Sequence, residues 1–118
     1  MYDIIIVGCG TAGMTAALYS LRANKKVLIL EAKSYGGQII NAHKVENYPG
    51  IASISGFDFA TNLYNQVKDL GVEIKFELVI KIEEDKTENS TKYKGYILKS
   101  KKDSIVIAVN TEDKDALF

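Results

Sequence analysis

Three glycines near the start of the chain have the spacing at which a backbone can bind phosphate. Gly8, Gly10 and Gly13 form a Gly-x-Gly-x-x-Gly motif, which follows the apolar run of residues 3–7. A pyrophosphate carries negative charge that backbone N–H groups and a helix N-terminus can meet without a cationic side chain. Glu31 ends the next apolar run, where a carboxylate would accept hydrogen bonds from ribose hydroxyls. These residues together predict that the chain binds an adenine dinucleotide.

The motif needs a strand before it and a helix after it to position the glycines. We expect Gly8 to allow a tight turn out of the strand, Gly10 to let the backbone approach the pyrophosphate, and Gly13 to let the helix lie close to the strand. Residues 14–21 repeat apolar side chains at helical spacing, and residues 26–30 form the second predicted strand. The motif therefore stands in the strand and helix context that makes it specific.

Capping residues mark the ends of the two predicted helices. Asn24 is a typical left-handed stop for the first helix. Ser55 is expected to cap the start of the second helix, with Asp58 three residues later in a capping-box arrangement. Gly71 is expected to end that helix.

Residues 32–55 predict an extended loop between these elements. It contains Gly36-Gly37-Gln38 and then Val45-Glu46-Asn47-Tyr48-Pro49-Gly50, where proline and glycine indicate turns. A loop of this length in a small domain is usually functional or disordered.

The later part of the chain predicts further strands, at residues 72–76, 78–83, 93–98 and 105–109. A polar stretch at 84–92 separates the second of these from the third, and the last is expected to rejoin the main sheet. We therefore predict an α/β, three-layer dinucleotide-binding (Rossmann-like) fold with a mainly parallel sheet and a β-meander from the later strands.

Composition limits the function classes. The 118 residues suffice for one domain, and 15 basic residues balance 15 acidic ones, so no net charge favours nucleic acid or an anionic membrane. The N-terminal apolar run is too short for a signal peptide or a membrane span. The single cysteine, Cys9, excludes an internal disulfide and agrees with a cytoplasmic location.

The order and spacing of the glycine motif, the Gly36-Gly37-Gln38 loop and the Val45–Gly50 segment resemble the N-terminal part of low-molecular-weight thioredoxin reductases, which belong to the pyridine nucleotide-disulfide oxidoreductases. The similarity runs from Met1 to about Val109. It implies that the dinucleotide is FAD, and that the complete protein passes electrons from NADPH through the flavin to a disulfide.

The resemblance also implies which residues contact the cofactor. The glycine loop would hold the pyrophosphate, Glu31 the adenosine ribose, and a strand backbone near Val79 the adenine. Gln38 and Asn47 would lie near the flavin, where an uncharged amide offers both a donor and an acceptor to the ring. The full predicted set is Gly8, Gly10, Thr11, Ala12, Gly13, Glu31, Ala32, Gly36, Gly37, Gln38, Asn47 and Val79.

The chain lacks several parts that the family implies. It has no Cys-x-x-Cys pair and no second glycine motif for NADPH. Residues 1–110 are therefore expected to form an FAD-binding domain that is incomplete relative to the family, followed by a charged tail at 111–118. We predict no catalytic or metal-binding residue here. The expected partners are FAD, a separate NADPH and dithiol domain or a thioredoxin-like protein, and a second copy in a homodimer.

Two other interpretations stay open. The chain could be part of a nicotinamide-dependent dehydrogenase, although that leaves the Gly36–Gln38 and Val45–Gly50 segments unexplained. It could also be a non-catalytic, degenerate module that binds a partner or oligomerises. Cys9 is more consistent with small-residue packing than with redox chemistry, and His43 with an incidental surface residue than with a proton donor.

Overall fold

The computed structural model describes residues 2–84, 96–100 and 105–108. The main elements in chain order are β1 (Ile4–Val7), α1 (Thr11–Arg22), β2 (Val27–Leu30), a 3₁₀ helix (Gly37–Asn41), α2 (Gly56–Asp69), β3 (Glu73–Lys75), β4 (Val79–Glu84), β5 (Tyr96–Ser100) and β6 (Ile105–Ala108). The predicted polar stretch and charged tail lie almost wholly outside the described residues. Within the described part of the chain, no helix combines the length and apolar character needed to cross a membrane.

Four parallel strands form the central sheet, in the order β3-β2-β1-β6. The register pairs Ile4 of β1 with Val27 of β2 on one side and with Ile105 of β6 on the other. The prediction that the last strand rejoins the main sheet is confirmed. All four residues of β2 are buried, as expected for a parallel strand covered on both faces.

Both helices cover the same face of this sheet. Ile6 and Ile29, from β1 and β2, lie in one buried cluster with Met14 of α1 and Val67 of α2. The alternate residues of the same strands face the other way and form a second buried cluster with the first residue of β4: Val7, Leu28, Leu30 and Val79. The helices, the sheet and the start of β4 thus give the three predicted layers.

The capping residues lie where the sequence predicts them. The Asp58 N–H donates to Ser55 Oγ at 3.0 Å, which caps α2. Asn24 and Gly71 follow the two helices with φ angles of +59° and +91°, so both residues provide the left-handed turn that ends a helix.

Two predictions about irregular regions are wrong. Residues 32–55 are not an extended loop throughout, because the 3₁₀ helix and the bridges Val45–Ile54 and Tyr48–Ile51 organise them. No β-meander joins β4 and β5, which pair in parallel, whereas a meander is antiparallel. Alternation of apolar residues reveals which face of a strand is buried, but it carries no information about strand direction.

Candidate dinucleotide-binding site

The candidate site lies at the edge of the sheet where β1 and β2 end. Gly8 follows β1 and Glu31 follows β2, and the parallel register places Val7 opposite Leu30. The Gly8 N–H donates to the Leu30 carbonyl at 2.8 Å, and the Glu31 N–H donates to the carbonyl of the last residue of β3 at 3.0 Å. Backbone hydrogen bonds therefore fix the glycine loop and the acidic residue side by side.

The three glycines of the motif meet different spatial demands. Gly8 has a φ of +113°, which turns the chain sharply out of β1. A Cβ on Gly13 would lie 2.1 Å from the Gly8 carbonyl oxygen, so no side chain fits where α1 crosses the strand end. A Cβ on Gly10 would meet only the Cα of Gly37, at 3.9 Å. The protein therefore leaves the space over Gly10 open.

The N-terminus of α1 opens onto the same edge. Gly10 is its N-cap residue and no side chain caps the helix. The first intrahelical bond runs from the Met14 N–H to the Gly10 carbonyl at 2.9 Å. Thr11 and Ala12 lie in the first turn, whose N–H groups have no partner within a helix. An anion held there would accept hydrogen bonds from these groups and face the positive end of the helix dipole.

Glu31 is held by the backbone on both of its carboxylate oxygens. Oε1 accepts from the Cys9 N–H at 3.0 Å, and Oε2 accepts from the Lys33 N–H at 3.1 Å. A carboxylate oxygen has two lone pairs, so each can still accept a ribose hydroxyl. Ala32, which follows, is exposed. The carboxylate is thus oriented toward the glycine loop by the protein's own contacts.

A second glycine segment lies directly against the first. The Gly36 N–H donates to the Cys9 carbonyl at 2.7 Å, and Gly36 forms a parallel bridge with Gly10. A Cβ on Gly37 would lie 3.3 Å from the Gly10 Cα, and Gly37 has a φ of +63°. Two glycine backbones therefore approach each other without side chains between them. The sequence predicted both segments but not this pairing, which joins residues distant in the chain.

The remaining predicted residues are positioned by other elements. Gln38 is exposed in the 3₁₀ helix, immediately after Gly37. Asn47 is exposed in the segment that the bridges organise, just before a turn in which the Ile51 N–H donates to the Tyr48 carbonyl at 3.1 Å. Val79 is buried at the start of β4, beside residues that end β1 and β2. Their predicted contacts with a cofactor stay predictions.

Cys9 lies inside this site but is chemically protected. Its side chain is fully buried, and burial raises the pKa of the Cys9 thiol to about 12, with the nearby Glu31 charge adding to the effect. The helix N-terminus would lower that pKa, so desolvation outweighs the dipole here. The thiol stays protonated at neutral pH and acts as a small core residue. His43 is exposed in the segment after the 3₁₀ helix.

Two residues that support the site were not singled out from the sequence. Tyr35 precedes the second glycine segment and stacks on Tyr64 of α2. Gly56 begins α2, where a Cβ would lie 1.7 Å from the Ile39 carbonyl oxygen of the 3₁₀ helix. The sequence offered one signal for each of these residues. Tyr35 is an aromatic residue beside a glycine pair, and Gly56 is a glycine in the first turn of a predicted helix.

The observed geometry fits an adenine dinucleotide. An uncapped helix N-terminus, two closely approaching glycine backbones and a fixed carboxylate lie at one edge of a parallel sheet. Ligands of open α/β sheets bind outside the carboxyl ends of the strands, which is this edge.

The comparisons with known proteins agree with this geometry. The sequence profile of the pyridine nucleotide-disulphide oxidoreductases matches residues 2–114. A thioredoxin reductase of Treponema pallidum is 48% identical over 82 residues, which are 69% of this chain and 27% of that protein. One from Bacillus subtilis is 45% identical over 76 residues, 64% of this chain and 24% of that protein. The chain thus spans about a quarter of these curated relatives.

Solved structures give the same result. A thioredoxin reductase of Streptococcus pyogenes matches with a TM-score of 0.66 and 46% identity, covering 69% of this chain and 26% of that one. One from Lactococcus lactis matches with a TM-score of 0.68 and 35% identity, covering 98% of this chain and 38% of that one.

Proposed function

This chain belongs to the pyridine nucleotide-disulphide oxidoreductase family, and from that premise we propose that it is the FAD-binding portion of a thioredoxin reductase-like flavoprotein. The observation that carries the proposal is the close approach of the Gly36-Gly37 backbone to Gly10, beside the carboxylate of Glu31. A phosphate-binding loop alone would suit any dinucleotide. The second glycine segment favours FAD through the resemblance to thioredoxin reductases, which implies that this segment passes along the flavin cofactor.

The proposed contacts divide the cofactor among the elements at the sheet edge. Gly8, Gly10, Thr11, Ala12 and Gly13 bind the pyrophosphate through backbone N–H groups and the α1 N-terminus. Glu31 accepts hydrogen bonds from the adenosine ribose, next to Ala32, and the Val79 backbone lies along the adenine. Gly36, Gly37 and Gln38 line the ribityl and flavin region, and Asn47 hydrogen-bonds the ring. When bound, FAD supplies the two-electron chemistry, and the protein supplies position and exclusion of water.

The complete reaction needs groups that this sequence does not contain. Transfer of two electrons to a disulfide through the protein requires a redox-active pair of thiols, and the chain has one cysteine, which is buried. We propose that residues 1–110 act with a separate NADPH-binding and dithiol-bearing domain, and that a thioredoxin-like protein is the final acceptor. A cytoplasmic location fits this reducing chemistry.

Two variants test whether the site binds FAD. The purified protein is mixed with FAD and desalted, and retained flavin is measured by its absorbance at roughly 450 nm. We expect the wild type to retain the band. Gly10→Ala is expected to lose it, because the added methyl group enters the space left open over Gly10. Glu31→Ala is expected to lose it through the missing ribose acceptor.

The thermal stability of the proteins without FAD separates binding from folding. Gly10→Ala should cost only about 0.5–1 kcal/mol, the loss from placing alanine at an N-cap, because its Cβ meets no backbone closer than 3.9 Å. A folded wild type that takes up no FAD would contradict the proposal and favour the degenerate, non-catalytic module. A wild type that retains NAD in place of FAD would favour the dehydrogenase interpretation.

A further inference from the structure

Tyr35 attaches the second glycine segment to α2 through two contacts of different kinds. Its ring stacks on Tyr64, with ring centroids 4.2 Å apart and planes inclined by 20°. Its hydroxyl lies 3.1 Å from Thr61 Oγ1. Thr61 and Tyr64 are three residues apart on one helix, so they present adjacent contacts on the same face. The stacking and the hydrogen bond together fix both the position of the Tyr35 ring and its orientation.

The next residue, Gly36, contacts the phosphate-binding loop as well as α2. The Gly36 N–H donates to the Cys9 carbonyl at 2.7 Å, and a Cβ on Gly36 would lie 3.0 Å from the Ala60 Cβ of α2. Residues 35 and 36 therefore contact α2 and the phosphate-binding loop at the same time. Gly36 and Gly37 both have positive φ angles, and glycine loses more backbone freedom on ordering than any other residue. A glycine pair in this geometry needs an anchor outside itself.

We propose that Tyr35 is a positioning residue of the FAD site: docked on Tyr64 and Thr61, it holds the Gly36-Gly37 backbone against Gly10, where the cofactor passes. This inference rests on the proposed FAD function. Tyr35 need not touch FAD, because it acts through the backbone of the two residues that follow it. If the Tyr35 ring served only to pack the core, its removal would lower the free energy of unfolding. It would not change the position of the glycine loop in the folded protein.

The test compares graded variants of Tyr35 with a matched control. Tyr35→Ala removes the stacking and the hydrogen bond, Tyr35→Phe removes only the hydroxyl, and Thr61→Val removes only the hydroxyl of the partner. Tyr19→Ala is the control, because Tyr19 is a tyrosine of α1 that is 70% exposed. Urea unfolding curves first identify a temperature at which every variant is folded in the absence of urea. The FAD dissociation constant is then measured at that temperature by fluorescence titration.

We expect Tyr35→Ala to raise the FAD dissociation constant about tenfold. Tyr35→Phe and Thr61→Val should each raise it about threefold, with no further rise when the two are combined, because both remove the same hydrogen bond. Tyr19→Ala should leave it unchanged. If Tyr35→Ala does not fold, the Tyr35→Phe and Thr61→Val cycle decides the question. Equal affinity in all folded variants would overturn the inference.

Amide hydrogen exchange without FAD provides the second readout. The Gly36 N–H should exchange faster in Tyr35→Ala than in the wild type, while the N–H groups of β2 keep their protection. Unchanged Gly36 protection would show that Tyr35 does not hold the loop. Faster Gly36 exchange in a protein whose wild type takes up no FAD would remove the proposed function while leaving the anchoring role of Tyr35 established.

Discussion

Glu31 has two roles at the scale of single residues. Its carboxylate accepts hydrogen bonds from the N–H groups of Cys9 and Lys33 before any ligand is present, so its orientation is set in advance. Binding a ribose then needs little reordering of the side chain, and preorganisation of this kind improves affinity. The same negative charge lies beside the Cys9 thiol and opposes its ionisation. Under the proposed function, Glu31 is therefore oriented for a ribose in advance. Burial is the larger cause of the raised pKa of the Cys9 thiol, and the Glu31 charge adds to it.

The pH dependence of stability should reveal the buried thiol. The pKa of Cys9 is raised in the folded protein, so between its ordinary value and about 12 the unfolded chain releases a proton that the folded chain keeps. The contribution of this one group to stability should therefore be constant below about pH 9 and should fall as the pH rises above it, at up to about 1.4 kcal/mol per pH unit. The measurement is urea unfolding from pH 8 to 11.

The control for this prediction is Cys9→Ala, which retains every other titrating group. Lysine and tyrosine side chains also ionise in this range, so the informative quantity is the difference between the two proteins at each pH. The wild type should lose stability faster than Cys9→Ala above about pH 9. Parallel curves would mean that the thiol ionises equally in both states, and rapid alkylation of the native protein at pH 8 would lead to the same conclusion.

At the scale of elements, the site depends on how α2 docks. Its first residue, Gly56, donates its N–H to the Ala42 carbonyl at 2.9 Å, which joins α2 to the end of the 3₁₀ helix. Further along α2, Ala60 and Tyr64 lie against Gly36 and Tyr35. The helix therefore supports the second glycine segment at several points along its length.

Gly56→Ala should disturb this docking. A methyl group there would lie 1.7 Å from the Ile39 carbonyl oxygen and 2.9 Å from that of Ala42, so backbone must move. Alanine favours a helix over glycine by about 1 kcal/mol, but forcing extra atoms into a packed contact costs about 1–3 kcal/mol, so the clash should prevail. We expect a lower melting temperature and weaker FAD retention, because Gln38 lies in the displaced 3₁₀ helix.

Ser55→Ala is the matched control at the neighbouring position. It removes the hydrogen bond from the Asp58 N–H and should cost about 1 kcal/mol, but it leaves the contact between Gly56 and Ile39 intact. FAD retention should therefore be nearly normal in folded Ser55→Ala. If Gly56→Ala lost no more stability and flavin than Ser55→Ala, α2 would not position the 3₁₀ helix in the way described.

Local patterns in the sequence predicted much of this architecture, because they have local physical causes. Gly13 and Ser55 are required by contacts within a few residues of themselves, and β1, β2 and β6 follow from continuous apolar runs. The bridge between Gly10 and Gly36 and the stacking of Tyr35 on Tyr64 join residues 26 and 29 positions apart. Periodicity and capping signals do not encode such contacts, so the sequence alone could not predict them.

At the scale of the whole molecule, the chain spans about a quarter of the curated thioredoxin reductases that it matches. Gly8, Gly10 and Glu31 lie at one sheet edge, and Gly36 and Gly37 lie against Gly10. The family's disulfide chemistry further requires a nicotinamide site and two neighbouring thiols. This sequence has a single Gly-x-Gly-x-x-Gly motif and a single cysteine. Under the proposed function, FAD binding would therefore be separable from electron transfer to a disulfide.

That separation predicts the redox behaviour of the chain once FAD is supplied and retained. Under anaerobic conditions, dithionite should bleach the flavin band at roughly 450 nm, because a small reductant needs no binding site on the protein. NADPH at the same concentration should leave the band unchanged over minutes, since no second glycine motif holds the nicotinamide near the ring.

An intact thioredoxin reductase, loaded and desalted in the same way, is the positive control and should be bleached by both. Cys9→Ser should behave as the wild type, because the buried thiol takes no part. Bleaching by NADPH at a rate close to that of the intact enzyme would show that the 118 residues contain a nicotinamide site, and the chain would then need only a partner dithiol to complete the reaction.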